Sequence, residues 1–374
     1  MDFHVALIGA GAAFAATLIL QRALAPLAQR LDLLDYPAGR KDHVHPTPVT
    51  GGLAMLLGVL FAAGMVLPQV GPGAWAFAVA AGLLIFIGLL DDKYDLSWHV
   101  RILAQVVAAL MMVYYGGVRI EHLGQLFGTE RFALGPMSVP FTVFAAVGAI
   151  NAVNMIDGMD GLAGTLVFGA LAMLGTVALL AGNHLVATHA LILGGAVAGF
   201  LVFNLHFPWQ RRARVFMGNA GSAFLGFAIA WIAFRLVQDA SHPVRPALVL
   251  WLLPVPLIDC LVLMLRRVRH GRSPFAADRN HIHHLMLEAG YRPMGVVLAL
   301  LVFSGLCGLA AAAALHSGLS EGLVVAGFFG LCGLWFWQTS RRVRALDLLR
   351  ALRYLAWPRA SRKPTVAGGE VDHV

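Results

Sequence analysis

Eleven runs of mostly apolar residues constrain this chain more than any other feature. They lie near 3–24, 48–68, 73–90, 101–116, 138–155, 160–181, 186–205, 217–237, 246–265, 294–315 and 321–338. The hydrocarbon core of a bilayer is ~30 Å thick, so a crossing helix needs roughly 20 such residues. Lipid offers no partners to backbone N–H and C=O groups, so such runs must be helical. The fifth run is crowded by Pro136 and Pro140. The fourth carries Gln105 and closes on Tyr114-Tyr115-Gly116-Gly117, an aromatic belt and a helix stop. Charged residues make up 12% of the chain and hydrophobic ones 59%, with a mean hydropathy of +0.77. An ordinary soluble domain is ~25% charged, and its folded surface could not hide this much apolar area. A soluble enzyme, a disordered chain and a disulfide scaffold are excluded. The expected fold is all-α: a polytopic membrane bundle of about eleven helices. Cys260, Cys307 and Cys332 all sit in apolar stretches and read as small buried hydrophobes.

Lys and Arg are retained on the cytoplasmic side of a membrane. With the N-terminus outside, the inner segments 25–47, 91–100, 206–216, 266–293 and 339–374 hold 21 of the 27 basic residues. The outer side keeps Arg119, Arg131, Arg235 and Arg245. The expected topology is an N-terminus outside, periplasmic if the membrane is a bacterial inner one, and a C-terminus in the cytoplasm. The net charge of +8 is then mostly topological, not a sign of nucleic acid. Residues 1–340 are expected to form one transmembrane domain with working inner loops at 91–100, 206–216 and 266–293. Residues 341–374 follow as a basic tail. No cleavable signal peptide is expected, because Met1-Asp2-Phe3-His4 lacks Lys and Arg. Gly9-Ala10-Gly11-Ala12-Ala13 loosely mimics a dinucleotide fingerprint, but it lies inside the first apolar run with no strand before it.

Polar groups near lipid are costly, so their clustering carries information. Here they gather at the predicted inner ends of the runs. Asp91-Asp92-Lys93-Tyr94-Asp95 places adjacent carboxylates at a membrane surface, where a cation or a proton must relieve their repulsion. A Mg²⁺ or phosphate-handling site and a solvated loop cap are the two readings. Asn151, Asn154, Asp157 and Asp160 recur at a helical spacing, with Gly158 and Gly161 breaking the run. Gly218-Asn219-Ala220-Gly221-Ser222 opens the eighth run with backbone N–H groups that suit an anion, or with Asn219 as a simple helix cap. Arg266, Arg267, Arg269 and Arg272 precede Asp278-Arg279-Asn280-His281-Ile282-His283-His284. The arginines suit phosphate oxygens. A zinc site is disfavoured, because His281 and His283 point to different faces of a helix and no cysteine is near. A weaker element, Arg40-Lys41-Asp42-His43-Val44-His45, precedes the second run. Carboxylates, amides, glycine-rich helix ends, arginines and histidines on one face suit phosphoryl transfer. No Walker motif is present.

The stretches Asp91–Asp95, Asn151–Gly164, Val215–Gly226 and Gly271–Leu285, in this order and spacing, resemble the polyprenyl-phosphate N-acetylhexosamine-1-phosphate transferase family. The resemblance covers about residues 35 to 340. The last stretch looks most like the bacterial undecaprenyl-phosphate α-N-acetylglucosaminyl 1-phosphate transferase branch. It implies transfer of N-acetylglucosamine 1-phosphate from UDP-N-acetylglucosamine to undecaprenyl phosphate with release of UMP. That would be the first membrane step of an O-antigen or similar surface polysaccharide. The implied cofactor is Mg²⁺, with Mn²⁺ as an alternative. The implied partners are the two substrates and the bilayer, without nucleic acid, and a homodimer is left open. By the same resemblance Asp91 or Asp92 steers or deprotonates the lipid phosphate. Asn154, Asn219 and Asp92 lie near the metal. Asn151, Asp157, Asp160 and Lys41 lie near the nucleotide. His281, His283, His284 and Arg272 hold the diphosphate or the sugar.

One position departs from the family pattern. Phe216-Met217-Gly218-Asn219 carries an amide where the family usually has aspartate. An amide oxygen can ligate a hard cation but brings no charge. An active natural variant, an engineered trap and a retired enzyme are the three readings. The first is favoured because the other motifs are intact. Rivals to the whole assignment are another UDP-N-acetylhexosamine as donor, and a transporter of an anionic lipid or nucleotide sugar. A transporter needs polar groups through the midplane, whereas here they collect at one face.

Overall fold

The computed structural model describes residues 3–36, 46–67, 71–207, 210, 212–274 and 280–356. Lys41, with the whole of the 40–45 element, and Arg211, Asp278 and Arg279 lie outside them. The described chain is almost entirely helical. In order the helices are α1 (Phe3–Leu31), α2 (Gly51–Val66), α3 (Pro72–Tyr94), α4 (Trp98–Tyr114), α5 (Ser138–Ile156), α6 (Leu162–Leu180), α7 (His184–Asn204) and α8 (Gly218–Gln238). They continue with α9 (Val249–Leu252), α10 (Pro254–Arg269), α11 (Ile282–Glu288), α12 (Pro293–His316), α13 (Glu321–Thr339) and α14 (Arg342–Ala356). A two-residue antiparallel ribbon, Leu34–Asp35 with Thr47–Pro48, is the one sheet among the described residues.

All eleven apolar runs coincide with helices. Among the described residues eight helices are long and apolar enough to cross a bilayer, and nine if α9 and α10 with the 3₁₀ turn before them count as one broken span. α2 and α4 are shorter, with 16 and 17 residues. The ninth run is not straight. It turns by 85° between Leu252 and Pro254, because Leu253 leaves the helical region and Pro254 starts a new helix at its first position. Hydropathy does not fall across that corner, so the run alone conceals it.

α8 is the axle of the bundle, and its whole circumference is buried. α2, α3 and α5 reach it through Gly52, Gly88 and Gly226. A Cβ at any of these would overlap the backbone across the contact. Small residues let helix backbones approach closely where lipid supplies no hydrophobic drive between them. The result brings the C-terminal end of α3, the C-terminal end of α5 and the N-terminal end of α8 to one place. α1 packs along α2 and α7 on the far side.

The first part of the basic tail is ordered helix. α14 buries Ala345, Leu346 and Leu349 and lies against α11 and α13. Arg342 pairs with Glu288, the Tyr291 hydroxyl donates to the Leu349 carbonyl at 3.1 Å, and Arg353 donates to the Gly290 carbonyl at 2.8 Å.

Candidate active site

Asp91 and Asp92 occupy the last turn of α3. Neighbouring residues on a helix point about 100° apart, so the two carboxylates part company. Asp91 is buried, and one of its oxygens accepts from Arg101 of α4 at 3.1 Å. The other, Oδ1, is buried without any partner. Asp92 turns to α8, where its oxygens accept from the backbone N–H groups of Asn219 (2.8 Å) and Ala220 (3.4 Å). A carboxylate on a helix N-terminus meets unpaired donors and the positive end of the dipole. Asp92 thus ties α3 to α8, and Gly218 (φ +67°) leaves the room a side chain would take from it.

α5 contributes the amides. Asn154 donates through Nδ2 to the side-chain oxygen of Asn219 (3.0 Å) and to the Ser222 hydroxyl (2.8 Å). Asn151 donates to Gln105 Oε1 at 2.7 Å. The chain leaves α5 at Asp157 and re-enters helix at Gly161 (φ +76°). Burial, and then the nearby carboxylates of Asp92 and Asp160, push the Asp157 carboxyl up to about 7. Repulsion between neighbouring carboxylates of this kind is what a nearby cation relieves. Asp160 is employed differently: it accepts from the Ala213 N–H at 2.9 Å and pairs with His206 at 2.8 Å. It thereby ties His206 to Ala213.

The histidines arrive from the other end of the chain. His281 is not part of α11 but its cap, with extended backbone (φ −61°, ψ 147°). His281 and His283 would face different ways only if both were helical, and His281 lies outside α11. The three imidazoles cluster, with ring centres 5.6 Å apart for His281 and His283 and 4.2 Å for His283 and His284. Asp259, on α10 beyond the 85° corner, accepts from His281 Nδ1 at 2.8 Å and from the Ile282 N–H at 3.0 Å. A carboxylate facing Nδ1 makes that nitrogen the N–H donor and leaves Nε2 as the acceptor. His283 is 1% exposed, and neither ring nitrogen has a hydrogen-bond partner among the described residues. Burial, and then its two histidine neighbours, hold it down to about 2, so it is a neutral ring throughout the useful pH range. Its Nε2 lies against Gly158, where a Cβ would overlap it.

These parts enclose one cavity of about 330 Å³. Asp91, Asn151, Asn154, Asn219, His281, His283 and His284 line it together with Arg101 and Arg267. Of the other expected site residues, Asp92, Asp157 and Asp160 stand behind this wall, on the side of α8 and the 157–161 loop. Arg272 is exposed and is not among the described residues that line this cavity. The arginine cluster is divided: Arg267 faces the cavity and donates to the Pro274 carbonyl at 2.6 Å, while Arg266 and Arg269 lie over the Phe336 ring. Sequence reasoning passes over Asp259 and Arg101. The available signal for Asp259 was a lone carboxylate inside an apolar run, which is functional by default.

The donor set fits Mg²⁺. Asp91, whose Oδ1 has no hydrogen-bond partner among the described residues, lines the same cavity as Asn154 and Asn219. Mg²⁺ favours hard oxygens, keeps several waters and is held by one or two carboxylates plus substrate phosphates. Among the described residues no three His, Cys, Asp or Glu side chains form a cage of their own, so a metal here would share its ligands with substrate.

The model of glycosyl transferase family 4 matches residues 74–237. That span holds the α3, α5 and α8 parts of the cavity. The undecaprenyl-phosphate alpha-N-acetylglucosaminyl 1-phosphate transferase of Haemophilus influenzae is 36% identical over 337 residues, covering 88% of this chain and 94% of its own. The enzyme of that name from Pasteurella multocida is 35% identical over 341 residues, with 90% and 93% covered. That of Escherichia coli (strain K12) is 34% identical over 265 residues, with 71% and 72% covered. The chain is therefore a polytopic α-helical membrane protein that belongs to glycosyl transferase family 4, the phosphosugar transferases whose motifs it carries.

Proposed function

We propose that the chain transfers N-acetylglucosamine 1-phosphate from UDP-N-acetylglucosamine to undecaprenyl phosphate on the cytoplasmic face of a bacterial inner membrane. The reading rests on one observation above the others. Asp91 and His283 line a single cavity, and Asp91 Oδ1 and both ring nitrogens of His283 are buried with no hydrogen-bond partner among the described residues. Buried polar groups are nearly always paired, and exceptions at a cavity wall mark places where a ligand completes them. The names of the relatives supply the lipid and the sugar. The distribution of Lys and Arg supports the cytoplasmic side.

A lipid phosphate oxygen attacks the sugar-bearing phosphorus, the bond from that phosphorus to the UMP oxygen breaks, and UMP leaves. The lipid phosphate is largely dianionic at neutral pH (second pKa ~6), so it needs positioning more than deprotonation. Arg101 and Arg267 supply fixed positive charge to phosphate oxygens. His281 presents Nε2 in an orientation held by Asp259. His283 offers a neutral ring that can donate one hydrogen bond and accept another. Asp91 steers the attacking phosphate from the membrane side and shares the metal with Asn154 and Asn219. Mg²⁺, when bound there, screens the two phosphates that otherwise repel each other. Asp92 and Asp157 hold the α3, α5 and α8 ends in register behind the reacting groups. Lys41 and Asp160 belong to the nucleotide side of this scheme.

Asn219 is compatible with activity. Asn219 lines the cavity, its side-chain oxygen accepts from Asn154, and Asp91 remains to bring charge. The product is the first lipid-linked sugar of a surface polysaccharide. UMP release from UDP-N-acetylglucosamine by purified protein tests the proposal. Release must require both undecaprenyl phosphate and Mg²⁺. Turnover with UDP-N-acetylgalactosamine alone would move the assignment to the other hexosamine. Release only from Asn219→Asp would make the natural chain an inactive relative.

A further inference from the structure

The end of the bundle opposite the candidate site holds a second and larger cavity, of about 790 Å³. It lies between the second half of α2, the first turns of α3 and α7, and the last turns of α8. α8 connects the two sites: at 1.5 Å per residue, about 24 Å of helix separates Asn219 from Arg235. The cavity therefore sits near the other membrane surface. Its volume falls within the ~300–1,000 Å³ of small-molecule sites.

Its walls are apolar except at two points. Phe77, Ile192, Leu193 and Trp231 supply the apolar surface, while Arg235 and His189 face the same space. Neither Arg235 nor His189 has a hydrogen bond or ion pair with any described residue. Trp75 and Leu185 at the rim are 63% and 40% exposed, so the cavity opens outward between helices. An arginine cannot shed its proton, and an unpaired cation within a membrane-spanning bundle is costly. Among the described residues the site thus lacks an anion, and it offers an apolar channel beside the arginine. A water-soluble anion would have no use for the channel, and a neutral lipid would leave the arginine unpaired.

We propose that this cavity binds an anionic glycerophospholipid, its phosphate against Arg235 beside His189 and an acyl chain along the Phe77 and Trp231 wall. The site stands apart from the phosphosugar chemistry and does not depend on it. Tight packing there would hold α2 and α7 onto α3 and α8 at the end remote from catalysis.

The test is mass spectrometry of lipid retained by the whole protein purified in mild detergent. The natural chain should retain phosphatidylglycerol or another anionic glycerophospholipid, and Arg235→Gln should retain about fivefold less. Ala74→Trp, which fills the cavity without touching its charge, should lose the lipid as well. Added phosphatidylglycerol should raise the thermal midpoint of the natural chain and leave that of Ala74→Trp unchanged, whereas phosphatidylcholine should shift neither. Equal retention in both variants would overturn the proposal. So would retention of zwitterionic lipid alone, or of a polyprenyl phosphate in place of a phospholipid.

Discussion

Replacing Asp259 by asparagine tests whether the histidine cluster is held in place from α10. The substitution keeps the shape of the side chain. It also keeps one acceptor oxygen, which can serve either His281 Nδ1–H or the Ile282 N–H. The amide NH₂ then opposes the remaining donor. One charge-assisted bond, the 2.8 Å contact to His281, is lost in a place where Asp259 is 3% exposed and water does not replace it. Such a bond is worth roughly 1.5–3 kcal/mol. His281 loses its fixed tautomer, and its Nε2 acceptor no longer points reliably at the substrate. At one decade of rate per ~1.4 kcal/mol, kcat should fall about 10- to 100-fold. KM for UDP-N-acetylglucosamine should change by no more than about threefold, because Asp259 touches no substrate. The assay is steady-state UMP release, run alongside a thermal midpoint. The double variant Asp259→Asn with His281→Ala separates orientation from simple damage. Residues acting as a unit are not additive, so the asparagine should cost little more once His281 is gone. A kcat within about twofold of the natural chain would refute the reasoning, as would full additivity in the double variant.

Four further outcomes are expected. Gly158→Ala should lower kcat strongly, because the added methyl overlaps His283 Nε2 and such overpacking costs ~1–3 kcal/mol; an unchanged rate would show that the ring can retreat. Asn219→Asp should lower the Mg²⁺ concentration needed for half-maximal UMP release by about tenfold, by adding one anionic ligand; titration of the metal at fixed substrate checks it. His283 is held down to about 2 against an ordinary 6.5, so the unfolded chain takes the extra proton between those values and stability falls as pH drops below about 6.5, by at most ~1.4 kcal/mol per pH unit. Chemical denaturation from pH 7 to 5 should show a shallower slope in His283→Gln. Arg101→Gln should raise KM for undecaprenyl phosphate or lower kcat about tenfold or more, since Asp91 then stands buried without its cation; a neutral result would remove Arg101 from the site.

The existence of the helices was plain from the length of the apolar runs, and so was the end of the bundle at which chemistry collects. What escaped the sequence was direction. The DDxxD pair reads as two equivalent carboxylates, yet one turn of α3 sends Asp91 to the cavity and Asp92 to the first turn of α8. The histidine run reads as a helix face, yet His281 caps the helix instead of belonging to it, and only the fold brings Asp259 from 22 residues upstream to receive it. The ninth apolar run reads as one span, because Leu253-Pro254 bends the path without lowering hydropathy. Arg272 reads as a phosphate ligand through its neighbours and is simply exposed. In the tail, arginines mask the spacing of Ala345, Leu346 and Leu349, the stripe that seats α14.

The seating of α14 on the short helix behind the histidines has a bearing on biogenesis. The reaction centre draws on segments first synthesised near residue 91 and last near residue 284, and its brace comes later still, through Tyr291, Leu349 and Arg353. A nascent chain emerging from the ribosome can thread most of its spans into the translocon well before this brace exists. Competence should consequently switch on late and abruptly during translation, and chains stalled or trimmed ahead of α14 should occupy the membrane as inserted but idle protein.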